Sequence, residues 1–290
     1  MKKVLFTGAC TALVTPFIGG QVNYPLMERL LQRQLDNGIR AIVLGGTTGE
    51  SPTLSDKEKL QMYHRGKEFV GDRAMIICGT GSNNTTHAVE LSLAAQEAGA
   101  DALLVVTPYY NKANPEGLYA HYLTIAHAVH LPVIVYNVPG RTGVDVPVSV
   151  YERLAKLPNI AGVKEASADI VKIARIRNAC GGDLPIWSGN DDEAVAAMAL
   201  GAQGVISVLS NVLPMETQTM AQAALAGDFD TASALQCGML PLIDALFAEV
   251  NPIPVKAAME IIGFDCGDCR LPLGRLSMEN KEKLVKLLKA

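Results

Sequence analysis

The sequence predicts an α/β protein, a (β/α)8 TIM barrel with a C-terminal helical extension. Three observations carry that expectation. Short apolar runs alternate with amphipathic segments eight times along the chain. The junctions DNGIRAIVLGG, EAGADALLVV and ALGAQGVISV repeat one pattern, a helix closed by Gly and followed by a strand. A doubly wound open sheet would need fewer units, and its GxGxxG fingerprint is missing: Gly79 and Gly81 follow a strand, but Asn84 stands where the third glycine belongs.

Parallel strands buried on both faces read as short continuous runs of Val, Ile and Leu. Such runs occur at Gly8–Val14, Ala41–Leu44, Met75–Cys78, Ala102–Val106, Val133–Tyr136, Ile160–Lys164, Pro185–Ser188 and Gly204–Val208. Helical spacing falls between them, at Tyr24–Asn37, Ser55–Phe69, Thr85–Ala98, Pro115–Ala128, Pro147–Lys156, Ile170–Cys180, Asp191–Ala199 and Pro214–Ala226. Ser55 with Glu58 forms a capping box that starts the second helix. Gly38, Gly99 and Gly201 each follow a helix and suit a left-handed terminal position. Past Ala226 only helical patterns remain, at Asp228–Val250, Pro252–Ile262 and Met278–Leu288. The expected division is a catalytic barrel over residues 1–226 and a helical extension over 227–290.

Composition narrows the function. The chain has 290 residues, 49% hydrophobic and 19% charged, which supports a large core and excludes a disordered chain. A net charge of −4 gives no electrostatic case for nucleic acid or a membrane surface. The N-terminal MKKVLFTGACTALVTPF is interrupted by Thr7, Gly8 and Thr11, so it reads as a first strand and not as a signal peptide. No apolar run reaches the length of about 18 residues that a transmembrane helix needs. The six cysteines make no disulfide framework, and Cys266-Gly-Asp-Cys269 is a lone CxxC without the second pair or histidines that zinc requires. Reduced thiols in a cytoplasmic protein are expected. The histidines form no HExxH motif; His121, His127 and His130 read as surface or packing residues. Neither a metal-binding carboxylate cluster nor a Ser–His–Asp order is visible.

In parallel α/β folds chemistry sits at the carboxyl ends of the strands. Tyr136 and Lys164 end the fifth and sixth runs, placing them side by side. A strand-end Lys can reach for solvent or a carboxylate; alternatively its amine, shielded by burial, attacks a carbonyl to form a Schiff base. The segment Gly45-Gly46-Thr47-Thr48-Gly49-Glu50-Ser51 is either a turn or an anion cradle of backbone N–H and Thr hydroxyl groups, and its paired threonines favour the cradle. Tyr109 and Tyr110 suit packing, an interface or proton transfer equally. Arg141, in the turn Pro139-Gly140-Arg141-Thr142, is either a surface residue or a two-point clamp for a carboxylate. Gly189 and Ile206, at the seventh and eighth strand ends, are candidate wall positions of a substrate site.

Two blocks, GGTTGESPTLS and YNVPGRTG followed by GVKEAS, resemble the 4-hydroxy-tetrahydrodipicolinate (dihydrodipicolinate) synthase family of the pyruvate-dependent class I aldolases, a superfamily that includes N-acetylneuraminate lyase. The resemblance covers essentially the whole chain. Thr47-Thr48 and Arg141 look like the synthase branch; the lyase branch usually has Ser-Thr and no such Arg. The resemblance implies condensation of pyruvate with L-aspartate 4-semialdehyde on the route to diaminopimelate and lysine, with no cofactor beyond the imine on Lys164. It implies that Tyr136 shuttles protons, that Thr47 links Tyr136 to Tyr110, and that Tyr110 crosses a tight-dimer interface into the neighbouring site. Thr48 would hold the pyruvate carboxylate and Arg141 that of the aldehyde. The implied assembly is a homotetramer of two tight dimers, or a homodimer.

Family members inhibited by lysine bind it at the tight-dimer interface. Ser51, Asn83 and Tyr109 keep that pattern here, whereas Asp56, Lys59 and His87 replace the usual effector-site residues, so weak or absent lysine sensitivity is expected. Two other readings compete: a related aldolase acting on another aldehyde or 2-oxo acid, and a non-catalytic barrel that binds a carboxylate ligand.

Overall fold

A computed structural model describes residues 2–289. Eight parallel strands close into a barrel: β1 (Gly8–Ala12), β2 (Ala41–Leu44), β3 (Met75–Gly79), β4 (Ala102–Val106), β5 (Val133–Asn137), β6 (Ile160–Glu165), β7 (Ile186–Ser188) and β8 (Gly204–Ser207). Each pairs with its sequence neighbours, and β1 closes the ring against β8 through Gly8↔Gly204 to Thr11↔Ser207. The helices that follow the strands are α1 (Tyr24–Asp36), α2 (Asp56–Val70), α3 (Thr85–Glu97), α4 (Pro115–Ala128), α5 (Val148–Leu154), α6 (Ile170–Cys180), α7 (Ala194–Ala199) and α8 (Pro214–Leu225). Then come α9 (Phe229–Leu246), α10 (Ile253–Ile261) and α11 (Met278–Lys289). No helix among the described residues is long and apolar enough to cross a membrane.

Two layers of core follow from the strand alternation. Inside the barrel, Cys10, Ala12, Val43, Ile77, Leu104, Ile134, Trp187 and Ile206 pack together. Between strands and helices a larger shell includes Leu30, Leu31, Met62, Tyr63, Ile125, Val135, Val163 and Ile176. Each fully buried aliphatic side chain contributes about 1.5–3 kcal/mol. The end of the barrel opposite the strand carboxyl ends is stoppered: Phe6 stacks on Trp187 at 4.7 Å between ring centroids, and the indole Nε1 donates to the Phe6 carbonyl at 3.1 Å. Residues of α9, α10 and α11, among them Ile243, Leu246, Val255, Met259 and Leu284, join the same outer core as the barrel helices.

Local sequence explains where the helices begin and end. The side chains of Asn23, Ser55, Asn84, Asn114 and Asp169 accept hydrogen bonds from backbone N–H groups at the starts of α1, α2, α3, α4 and α6. The capping box of Ser55 and Glu58 is present in both directions. Gly38, Gly99 and Gly201 take the expected left-handed backbone, with φ of 81°, 90° and 96°. The differences from sequence expectation are mostly at ends. The first strand stops at Ala12 and not at Val14, and α7 starts at Ala194 and not at Asp191. A two-residue hairpin, Phe17–Ile18 with Gln21–Val22, and a single helical turn, Pro139–Thr142, are too short to leave a periodic signal.

Candidate active site

The register of β5 against β6 sets Tyr136 opposite Lys164. Both are buried, at 6% and 5% exposure, and the Lys164 Nζ lies 4.2 Å from the centroid of the Tyr136 ring. Four lysines are buried in the described residues: Lys59, Lys164, Lys172 and Lys256. Lys59 is paired with Asp56, Lys172 with Asp145, and Lys256 with Glu50. Lys164 alone of the four faces an aromatic ring without a carboxylate in ion-pair range.

The walls around this amine are shaped for it. A Cβ at Gly189 would stand 3.0 Å from the Lys164 Cε and 2.6 Å from the Ala166 Cβ, so only glycine leaves room for the lysine stem. Ile206 is fully buried in the barrel interior. On the outer face of β6, Glu165 accepts from Asn137 Nδ2 at 2.8 Å, Ser167 N at 3.0 Å and Tyr151 Oη at 3.1 Å. Burial raises the pKa of this carboxyl, while Lys172 and those three donors oppose the rise. The network anchors the strand end from which Lys164 projects. Asp191, also buried, accepts from Val208 N at 2.9 Å and Leu209 N at 3.0 Å, tying the exit of β7 to that of β8; burial raises its pKa as well.

A cavity of about 560 Å3 opens above Tyr136. Thr47, Ser51, Tyr109, Tyr136 and Arg141 line it, and so do Asp56, Lys59 and His87. Thr48 lies beside that lining, 3% exposed, with its Oγ1 3.0 Å from the Asn251 Nδ2. Arg141 sits in the single turn after β5 and donates through Nη2 to the Asn251 carbonyl at 3.0 Å. At the far side of the cavity the His87 Nε2 stands 2.8 Å from Asp56 Oδ2, and Lys59 Nζ 3.7 Å from Asp56 Oδ1. Burial holds the Lys59 ammonium below the usual lysine range, with Asp56 working against that shift.

Lys164, Gly189 and Ile206 are not themselves lining residues of this cavity; Lys164 borders it through Tyr136, whereas two other sequence-predicted residues stand apart. Tyr110 does not line the cavity; it is 88% exposed, with a left-handed φ of 72° and its backbone N donating to the Thr142 carbonyl at 3.3 Å. Asn83 is turned toward Asn111, which donates to its carbonyl at 2.8 Å. The sequence reading missed Asn251 and Lys256. Lys256 reaches Glu50 Oε1 at 2.9 Å, and Arg270 N donates to Glu50 Oε2 at 2.8 Å, so the Thr47–Ser51 loop is held from α10 and from the segment that follows it. The only sequence signal was the oddity of a Lys in the apolar face of α10.

This arrangement offers an unpaired buried amine beside a phenol, hydroxyl donors on one side and a guanidinium at the mouth. The comparisons with known proteins supply the family. The sequence profile described as the Dihydrodipicolinate synthetase family matches residues 5–290. The 4-hydroxy-tetrahydrodipicolinate synthase of Acetivibrio thermocellus is 45% identical over 289 residues, covering 100% of this chain and 98% of the relative. That of Kosmotoga olearia is 46% identical over 287 residues, covering 98% of each. The crystal structure of the chloride-inhibited dihydrodipicolinate synthase from Acinetobacter baumannii, complexed with pyruvate, superposes with a TM-score of 0.96 at 43% identity, covering 98% of both chains. A profile that spans barrel and C-terminal helices together, with full-length relatives this similar, means that the chain belongs to the dihydrodipicolinate synthetase family.

Proposed function

We propose that the chain is a 4-hydroxy-tetrahydrodipicolinate synthase, condensing pyruvate with L-aspartate 4-semialdehyde through an imine on Lys164. The observation that carries this reading is the placement of Lys164, among the described residues the one buried lysine without a carboxylate partner, against Tyr136 inside the barrel mouth. An amine not committed to an ion pair is available as a nucleophile.

The chemistry then runs as follows. Lys164 Nζ attacks C2 of pyruvate, and the carbonyl oxygen leaves as water, with Tyr136 carrying the protons. The protonated imine withdraws electrons, so the pyruvate methyl loses a proton and becomes an enamine carbon. That carbon bonds to the aldehyde carbon of the second substrate, whose oxygen takes up a proton. The amino group of the same substrate next attacks the imine carbon, closes the ring and releases Lys164. The imine is the electron sink, so the cycle calls for no metal and no external cofactor.

The hydroxyl of Thr48 suits the pyruvate carboxylate, and Arg141 at the mouth suits the carboxylate of the aldehyde in a two-point grip. Thr47 lines the same space as Tyr136 and relays protons between it and a Tyr110 supplied by a second copy. The reading includes self-association as a homotetramer or homodimer and action in the cytoplasm.

Borohydride reduction in the presence of pyruvate, followed by intact mass and peptide mapping, tests it. A single pyruvyl adduct on Lys164, absent from Lys164→Ala, is the expected result. No adduct, or one on Lys172 or Lys256, removes the imine from the assignment. Turnover with aspartate semialdehyde, and not with N-acetylmannosamine or glyceraldehyde, identifies the acceptor.

A further inference from the structure

Asn251 precedes α10, in the helical extension, yet it touches both groups assigned above to the substrate carboxylates. Its side-chain Nδ2 donates to Thr48 Oγ1 at 3.0 Å, across 203 residues of chain, and its carbonyl accepts from Arg141 Nη2 at 3.0 Å, across 110. The residue is 5% exposed, and its Oδ1 is buried without a partner among the described residues. Packing alone would place an apolar side chain there. A buried amide with one unmet atom is retained at a cost, and its other atom meets a single group, the Thr48 hydroxyl.

That contact has a direction. A hydroxyl that accepts from an amide N–H keeps its own proton for a different acceptor. The Thr48 hydroxyl is therefore set as a donor, the polarity a carboxylate needs. The same segment grips the loop a second time through Lys256 and Glu50, which lies two residues beyond Thr48. Asn251 is thereby fixed against the loop on one side and holds the guanidinium on the other.

We propose that Asn251 is a positioning residue that orients the Thr48 hydroxyl toward pyruvate and, through its carbonyl, sets Arg141 at the distance the second substrate needs, coupling the two carboxylate subsites. The proposal rests on the roles given to Thr48 and Arg141 above.

Steady-state kinetics of Asn251→Ala and Asn251→Asp test it, beside Thr48→Val and the double variant Thr48→Val/Asn251→Ala. The loss of one oriented hydrogen bond is expected to raise KM for pyruvate about tenfold in Asn251→Ala, with a smaller rise for the aldehyde and little change in kcat. Asn251→Asp preserves the volume, so it carries the test if the alanine variant does not fold; its carboxylate turns the Thr48 proton away from pyruvate and raises the same KM. In the double variant the KM for pyruvate should equal that of Thr48→Val alone. Unchanged KM values, equal losses confined to kcat, or multiplying effects in the double variant overturn the positioning role. Borohydride trapping of the unsubstituted protein separates the two failures: an adduct on Lys164 with unaffected Asn251 variants sinks this proposal only, whereas no adduct sinks the reading beneath it.

Discussion

His121 is 4% exposed on α4, with Nδ1 2.9 Å from Thr85 Oγ1 and Nε2 buried without a partner among the described residues. Burial pushes its pKa down to about 4 from the ordinary value of 6.5. The folded state thus refuses a proton that the unfolded chain accepts. Stability is intact above pH 6.5 and is lost progressively as pH falls toward 4. At pH 5 the loss comes to about 2 kcal/mol. Thermal unfolding of His121→Gln should show a flatter fall between pH 7 and pH 5 than the unsubstituted protein; parallel curves would mean that His121 does not titrate this way. At this scale the legible residues are those whose position in a strand dictates their neighbour. Tyr136 and Lys164 each end a β-branched run, and adjacent parallel strands leave them side by side. Gly189 was legible as a wall position, but not as the space the lysine stem occupies. Asn251 gave no signal, because helical spacing says nothing about where an amide reaches 203 residues away.

Among the elements, the start of α2 and the start of α3 bring Asp56, Lys59 and His87 to the far wall of the cavity. Asp56 already serves two basic partners, Lys59 and His87. A lysine side chain entering there would meet the Lys59 ammonium and find the one nearby carboxylate engaged. Steady-state rates should therefore stay within about twofold of the lysine-free value at millimolar L-lysine, the change a weak and screened contact allows. Strong inhibition would contradict this assignment of the wall. The alternating strands and helices were readable from periodicity because each barrel strand is buried on both faces and each helix on one. The hairpin at Phe17 escaped because two residues a strand complete no period, whereas the turn at Pro139 was legible as a turn from its Pro and Gly. The turn matters more, since it carries Arg141.

At the level of the whole molecule, Tyr110 is an aromatic side chain 88% exposed on a strained left-handed backbone, conditions a lone globular chain gains nothing from. A second copy that covers it would explain both. Sedimentation velocity should find a homotetramer or homodimer, and Tyr110→Ser should lose about 100-fold in kcat, the scale of a lost proton carrier. Mixing Tyr110→Ser, slowed about 100-fold, with the inactive Lys164→Ala should raise turnover above that of Tyr110→Ser alone, in hybrid assemblies where an intact Lys164 meets an intact Tyr110. No recovery on mixing would place Tyr110 in its own chain's chemistry or in none. Assembly would leave little trace in the sequence, because an exposed Tyr in a loop looks the same whether water or a neighbour covers it. The contact between Thr48 and Asn251 also has a consequence in time. A ribosome adds about 5–20 residues per second, so the amide follows the hydroxyl by roughly 10 to 40 s of synthesis. Throughout that interval the nascent chain already carries Thr48, then Tyr136, then Lys164, and finally all eight strands, while its substrate pocket stays unfinished. A message cut short before Asn251 would yield a chain that carries Lys164, Thr48 and Arg141 but lacks the amide proposed to orient two of them.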